Sequence, residues 1–525
     1  MPWATDFGMR SILSSVSTLL LLLGCGKADP PAPGGEAPKL LADAGYPGGK
    51  GFPKLTLTYN RGDVHHKIAT AVQEMWRTRL GIEVELRNME FTASIEQVDR
   101  GDFEIARRAW IGEYTDPHAF LDLFTRDSHS NPTGWGSDEY ERLIGSSQVE
   151  PDPGRRLEIL ARAERLLVEE APFIPIYHYV AHNYMKPFIR GVHHNVRDMH
   201  PLQNVRLEGE GAPGDGVLVF NSSEEPGTID PALSRTVLGV KILMHLFEGL
   251  LSYDPKDASP APGLAERWEV SPEGTTWTFH LRPGSWSSGD PVTAHDFVYA
   301  WRRVADPKTG STYAHRMYLV KNAREIVQGR AKPETLGIRA LDERTLEVEL
   351  MHRAPYFPQL LCLSLFYPVH RATVEKHGAA WTRPENIVHN GPYRIASWIP
   401  HDRKVFEKNP RYRDAAGVTL EKFVFLSITD DATAFQAFES GQCHWLFRAP
   451  LERMEQLQKR PGYMRGPYNG SYFYVFNTRK KPLDDVRVRK ALSLAVDRDI
   501  IAGQILRGGE TPAARLVPPT SLPPK

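Results

Sequence analysis

Hydrophobic positions along residues 54–110 switch back and forth between two periods. In KLTLTYN (54–60) apolar and polar residues alternate, the period of a half-buried strand. Ile68, Val72, Trp76 and Leu80 then recur at helical spacing, with Asp63 placed to cap that helix and Gly81 to stop it. IEVELRN (82–88) alternates again, a short helical stretch follows over 92–100, and FEIARRAW (103–110) reads as a third strand. This strand–helix–strand–helix–strand order predicts an α/β fold with a mostly parallel sheet, which binds ligands beyond the carboxyl ends of its strands. Glu113 falls just past such an end, in AWIGEYTDPHAF (109–120), where a carboxylate stands between Trp110 and Tyr114. It is a solvated loop residue, a catalytic group or a counter-charge for something positive.

Further along, a long helix is expected over 155–170 and a strand over FIPIYHY (173–179). EGEGAPGDG (208–216) reads as a flexible linker, since its glycines lack the spacing of a phosphate-binding loop. A new strand opens at VLVFN (217–221). WTFHLRPGSW and a helix capped by Thr293 and Asp296 then suggest a small α+β module, within which IRALDERTLEVEL (338–350) reads as a hairpin. Near the end, FYVFNTRKKPLDDVRVRKALSLAVDRDII is a strand, a charged turn and an amphipathic helix.

At 525 residues the chain exceeds one core, so two or three domains are expected. Lys+Arg and Asp+Glu both number 64, and this balance argues against nucleic acid or an anionic membrane as the main partner. Residues 1–25 carry a short n-region and an apolar run too short to span a bilayer, ending in Leu22-Leu23-Gly24-Cys25. That ending is similar to a bacterial lipobox, in which Cys25 is diacylated after cleavage, and the Pro/Gly-rich 26–38 is the tether such an anchor needs. Cys362 and Cys443 are too few for a disulfide framework; they are a pair or two buried thiols. Hydrolase and metalloprotease motifs are absent, and the adjacent pairs His65-His66 and His193-His194 are poor joint ligands, so the chain is read as a non-enzyme without metal or cofactor.

LFEGLLSYDP (246–255), residues 260–307, NGPYRIASW (390–398), KNPRYRD (408–414) and PLDDVRVRKALSLAVDRDII (482–501) closely resemble the periplasmic oligopeptide-binding proteins, the peptide-receptor branch of solute-binding protein family 5. The stretch around AWIGEYTDPHAF resembles the same family's second lobe. Relative to the family the two halves are exchanged, so the chain reads as a circular permutant whose old termini are joined by 208–216. The resemblance implies a two-lobed clamp with an extra α+β domain. Lobe II combines 39–180 with 470–525, lobe I combines 181–247 with 370–469, and the extra domain takes 248–369. It also implies a monomeric, lipid-anchored receptor of the periplasm or cell envelope that passes short peptides to an ABC permease and its ATPase.

Such a receptor must recognise what all peptides share, namely a terminal ammonium, a backbone and a terminal carboxylate. By resemblance, Glu113 meets the ammonium, at a position where the family has an aspartate, while Asp116 belongs to a structural Asp-Pro turn. Arg107 and His65 meet the carboxylate of short peptides, and Trp110 and Phe91 line side-chain pockets. Val237 pairs with the peptide backbone, and Tyr313, Phe447, Tyr468 and Phe473 close the walls. Two half-cystines of some relatives fall at Ile111 and Gly470, and a basic residue aimed at longer peptides falls at Leu506, beside Arg507. The family also includes receptors for haem, nickel chelates, murein peptides and sugars, and sensors uncoupled from transport remain a further reading. A carboxylate in the amine-binding turn favours peptides over nickel chelates and sugars.

Overall fold

The computed structural model describes residues 35–522, except 129, 223, 224 and 235; Cys25 and the region read as signal and tether up to residue 34 lie outside the described residues. One mixed sheet dominates. Its strands, in chain order, are β1 (Leu55–Asn60), β2 (Val84–Met89), β3 (Ile105–Ile111), β4 (Phe173–Met185), β5 (Val217–Asn221), β6 (Tyr393–Ile399), β7 (Arg403–Lys408), β8 (Lys422–Leu426), β9 (Trp445–Leu446), β10 (Tyr463–Phe476) and β11 (Thr511–Pro512). Across the sheet they run β6-β7-β8-β5-β9-β4-β10-β3-β1-β2, with β11 added to β4. The parallel expectation holds for β2-β1-β3 and for β8-β5-β9. It fails elsewhere, because the long strands β4 and β10 pair antiparallel with each other, with β3 and with β9. A second, four-stranded sheet contains the expected hairpin, Ile338–Ala340 against Thr345–Glu349.

Local sequence explains the first unit. The helix Asp63–Leu80 buries Ile68, Val72, Trp76 and Leu80 and ends at Gly81, whose φ of 70° is the left-handed conformation that favours glycine. A Cβ at Gly81 would also lie 2.6 Å from the Gly48 carbonyl oxygen. Asp63 is not the cap: Gly62 holds that position without a side-chain bond, and Asp63 instead places its charge in the first turn, where the helix dipole favours an anion. The helix Phe91–Asp99 is capped by the Glu90 side chain, which accepts from Ala93 N–H. The helix Ala294–Ala305 has the expected capping box of Thr293 and Asp296.

Trp76 shows how distant parts of the chain share a core. Its side chain is fully buried, and its indole N–H donates to the Leu492 carbonyl at 2.8 Å. Burial of this kind contributes roughly 1.5–3 kcal/mol per large apolar side chain. Leu55, Ile68, Ile174, Tyr472, Tyr474, Val488 and Leu492 pack in the same cluster, so segments near both ends of the chain close over one face of β1, β3, β4 and β10. The two motifs at 246–255 and 390–398 also meet. Asn390 accepts from Glu248 N–H at 3.1 Å and donates to its carbonyl at 2.9 Å, and Gly391 N–H donates to the Leu246 carbonyl at 2.9 Å. Cys362 and Cys443 are not a pair; both are free, buried thiols, and burial pushes the Cys443 thiol up to about 11. Among the described residues no helix is long and apolar enough to cross a membrane.

Candidate functional site

β3 and the turn after it carry both charged groups singled out by sequence. Arg107, in mid-strand, sits over the Tyr472 ring with its guanidinium carbon 4.6 Å from the centroid. It donates to the Asn60 side-chain oxygen at 3.1 Å and to the Tyr179 hydroxyl at 2.9 Å, while its Nε has no hydrogen-bond partner among the described residues. Burial acts to lower its pKa and the phenols of Tyr179, Tyr472 and Tyr177 outweigh it; no carboxylate is among the groups that support its charge. No ion pair to Arg107 occurs among the described residues. His65 also packs against this ring, with centroids 5.6 Å apart, and its Nδ1 is likewise unpartnered among the described residues. Burial, then Arg107 and Arg448, pull its pKa down to about 2, so the imidazole is neutral at physiological pH. A partly buried cation beside a neutral imidazole, with hydrogen-bond capacity left over, is suited to an anion.

Glu113 answers the question its position raised: it is a counter-charge. Its carboxylate lies 2.7 Å from Arg316 Nε, and Arg316 Nη1 lies 3.3 Å from Asp122. Burial disfavours the charged guanidinium, but Glu113 and Asp122 overcome this and raise its pKa. Two carboxylates around one cation leave one net negative charge. The Arg316 guanidinium stacks 5.4 Å from the Trp110 ring, whose indole N–H donates to the Ala119 carbonyl at 2.9 Å. Sequence gave no sign of Arg316, which lies far from Glu113 along the chain and has no local pattern of its own. Asp116 takes the structural part assigned to it: Arg156 grips it with two bonds, at 2.7 and 2.9 Å, and it accepts from His118 N–H.

The other predicted residues scatter. Tyr468 lies partly buried with its ring 6.4 Å from Tyr179, next to Asn469 in the chain. Tyr313 is partly buried two positions ahead of His315, on whose ring it stacks, and three ahead of Arg316. Phe447 packs beneath Lys241, 4.0 Å from its ring centroid, and lines a small cavity with His200 and Met244. Phe91 and Val237 are each the first residue of a helix and are exposed, at 45% and 42%. Phe473 is corrected outright. It is buried against Phe124 and Phe173, because alternation along β10 turns Tyr472 and Tyr474 towards Arg107 and sends Phe473 to the opposite face. Ile111 and Gly470 are direct cross-strand partners. Leu506 is buried, and the cavity of about 190 Å³ lined by Tyr184, Lys186, Phe438 and Tyr463 touches none of the predicted residues. Unpaired charge, rather than void volume, therefore locates the candidate site.

A mixed sheet with charged groups at the end of a βαβαβ unit, and a separate small α+β sheet, is the two-lobed clamp of extracytoplasmic binding proteins. The profile described as bacterial extracellular solute-binding proteins, family 5 Middle, matches residues 27–132 and 259–525. The chain belongs to this family. It is similar to the periplasmic oligopeptide-binding protein of Salmonella typhimurium, 41% identical over 308 residues that cover 58% of this chain and 56% of that one. A probable deoxycholate-binding periplasmic protein of Escherichia coli is 39% identical over 308 residues, 58% of this chain and 57% of that one. Among solved structures, the Haemophilus influenzae OppA complex with RPPGFSPFR is 34% identical, with a TM-score of 0.53 over 58% of this chain and 60% of that one. The chain thus spans a little over half the length of the relatives it matches.

Proposed function

We propose that the protein is a receptor for short peptides, held extended between two lobes and delivered to an ABC importer. One observation carries this reading: Arg107, a cation without a carboxylate partner among the described residues, stands in a strand whose following turn holds Glu113, a member of the net-negative Glu113–Asp122–Arg316 cluster. Their polarity matches a zwitterionic chain with its ammonium at Glu113 and its carboxylate at Arg107 and His65. The two positions are six residue steps apart, which sets an upper limit of about 20 Å on their Cα separation, within reach of a short extended peptide. Trp110 and Tyr468 flank the site, and Phe91, Val237, Tyr313 and Phe447 are assigned to more distant walls.

The reading extends to the whole chain. Residues 39–180 and 470–525 form one lobe, supported by the pairing of β10 with β3 and β4 and by Trp76 on Leu492. Residues 181–247 with 370–469 form the other, and 248–369 the extra domain. The halves are exchanged relative to the family, with 208–216 as the join; β4, which ends at Met185 before the join, and β5, which follows it, are separated in the sheet only by the two-residue β9. Cys25 is the lipidated residue that anchors a monomeric receptor in the cell envelope. Murein peptide, haem and peptide sensing without transport are the alternatives.

The test is calorimetric titration with a free tripeptide and its N-acetylated twin. Binding of the free peptide alone is expected. Equal binding of both removes the role given to Glu113, and binding of neither removes the peptide reading.

A further inference from the structure

The amine end of the proposed site holds a second guanidinium. Asn469 bridges two segments there: its N–H donates to the Val196 carbonyl at 2.7 Å, and its own carbonyl accepts from Gly112 N–H at 2.7 Å. Its side-chain amide also donates to the carbonyls of Gly112, at 3.3 Å, and Tyr114, at 3.1 Å, on either side of Glu113. Arg197, next to Val196, is thereby fixed beside the Glu113 turn. It is only 5% exposed, and among the described residues its Nε and Nη1 have no hydrogen-bond partner.

Arg197 also has no ion pair among the described residues, unlike the other charges nearby. Arg316 is taken up by Glu113 and Asp122. Asp198, the neighbour of Arg197, is taken up by Lys241 at 2.6 Å, His200 at 2.9 Å and Asn183 at 2.8 Å. Arg197 instead stands 5.9 Å from the Tyr253 ring centroid. Burial pushes the Tyr253 hydroxyl up to about 12, while Arg197 pulls it down and Glu113 pushes it up, so this ring feels both charges. A buried guanidinium without an anion is costly, and the cost is recovered when a ligand supplies one.

Resting on the peptide reading, we infer that Arg197 is a specificity-determining residue which accepts a carboxylate carried by the ligand close to its amino group. The preferred ligands are peptides whose first residue is Asp or Glu. The ammonium goes to Glu113 and the acidic side chain to Arg197, one charge for one charge.

Titrating the chain calorimetrically with Glu-Ala-Ala, Gln-Ala-Ala and Ala-Ala-Ala tests this, because glutamine keeps the shape and loses the charge. Wild type should bind Glu-Ala-Ala at least about tenfold tighter than Gln-Ala-Ala, the scale of one charge-assisted bond. Arg197→Met should erase that difference and leave Gln-Ala-Ala within about threefold of wild type, while Arg197→Lys, which keeps the cation, should restore part of it. Equal binding of the acidic and amide peptides to wild type would overturn the inference, even though the peptide reading would stand. So would an equal loss of all three peptides in Arg197→Met together with retained discrimination in wild type, which would mark Arg197 as structural. If no tripeptide binds wild type, the peptide reading fails, and this inference with it.

Discussion

Replacing Arg107 by Met separates a binding cation from a structural one. In the unliganded protein Arg107 donates two charge-assisted hydrogen bonds to neutral acceptors, Asn60 and Tyr179, each a net contribution of about 1.5 kcal/mol. Its charge is partly buried with no carboxylate to offset the loss of hydration, and methionine removes that cost while keeping most of the apolar stem over Tyr472. The two effects oppose each other, so the denaturant midpoint should move by no more than about 2 kcal/mol in free energy. Peptide affinity should respond differently. A charged hydrogen bond to the ligand's terminal carboxylate contributes about 1.5–3 kcal/mol, which is a loss of roughly 10- to 150-fold in Kd. The assay is titration of wild type and Arg107→Met with a tripeptide and its C-terminal amide. Wild type should bind the amide as weakly as the variant binds the acid, and the variant should not distinguish the two. If the variant still prefers the free acid, the carboxylate is held elsewhere. If it unfolds, Arg107 is a structural residue and its lack of a counter-ion has been misread.

Other perturbations test the frame around the site. Asp116→Asn should destabilise the fold by about 3–5 kcal/mol in chemical denaturation, since it strands the buried Arg156 without its anion. Gly391→Ala should cost about 1–3 kcal/mol, because the new methyl would lie 2.6 Å from the backbone of Leu246 and Phe247, which cannot yield as a side chain can. Acid should weaken the protein through its buried histidines. Burial, with help from nearby cations, pulls His245 and His389 down to about 3 and His178 to about 4, whereas the unfolded chain takes up protons near pH 6.5. Folded-state values below unfolded ones mean stability that is complete above pH 6.5 and lost as pH falls towards 3, at up to about 1.4 kcal/mol per pH unit for each histidine. Urea midpoints at pH 7, 6 and 5 should fall accordingly, and His245→Phe should lessen the slope.

What the sequence disclosed depended on how far each determinant reaches. The strands at 55–60, 84–89 and 105–111 and the helix at 63–80 are set by period and by Gly81, all of it local, and they stand where expected. The mixed character of the sheet was not visible. It comes from β4 pairing with β10 across nearly three hundred residues, and no local period encodes a partner or its direction. Phe473 shows the same limit at one residue. A strand presents alternate side chains to opposite faces, so the identity of an aromatic does not tell which face it takes; the pairing of β10 with β3 and β4 decides. The site itself was half legible. Glu113 and Arg107 announced themselves through position and motif, but a charge means little until its partners are known, and those are non-local. Arg316 reaches Glu113 from about two hundred residues away, turning what looked like a lone acid into one member of a triad with net charge −1. Arg107 gains its meaning from the reverse, a cation that the fold surrounds with phenols and leaves without an acid. The triad at Glu113 and the lone Arg107 thus oppose each other along one strand, and with Arg197 counted beside Glu113 the ligand that best neutralises the whole is a chain laid amine to Glu113 that also brings a carboxylate to Arg197.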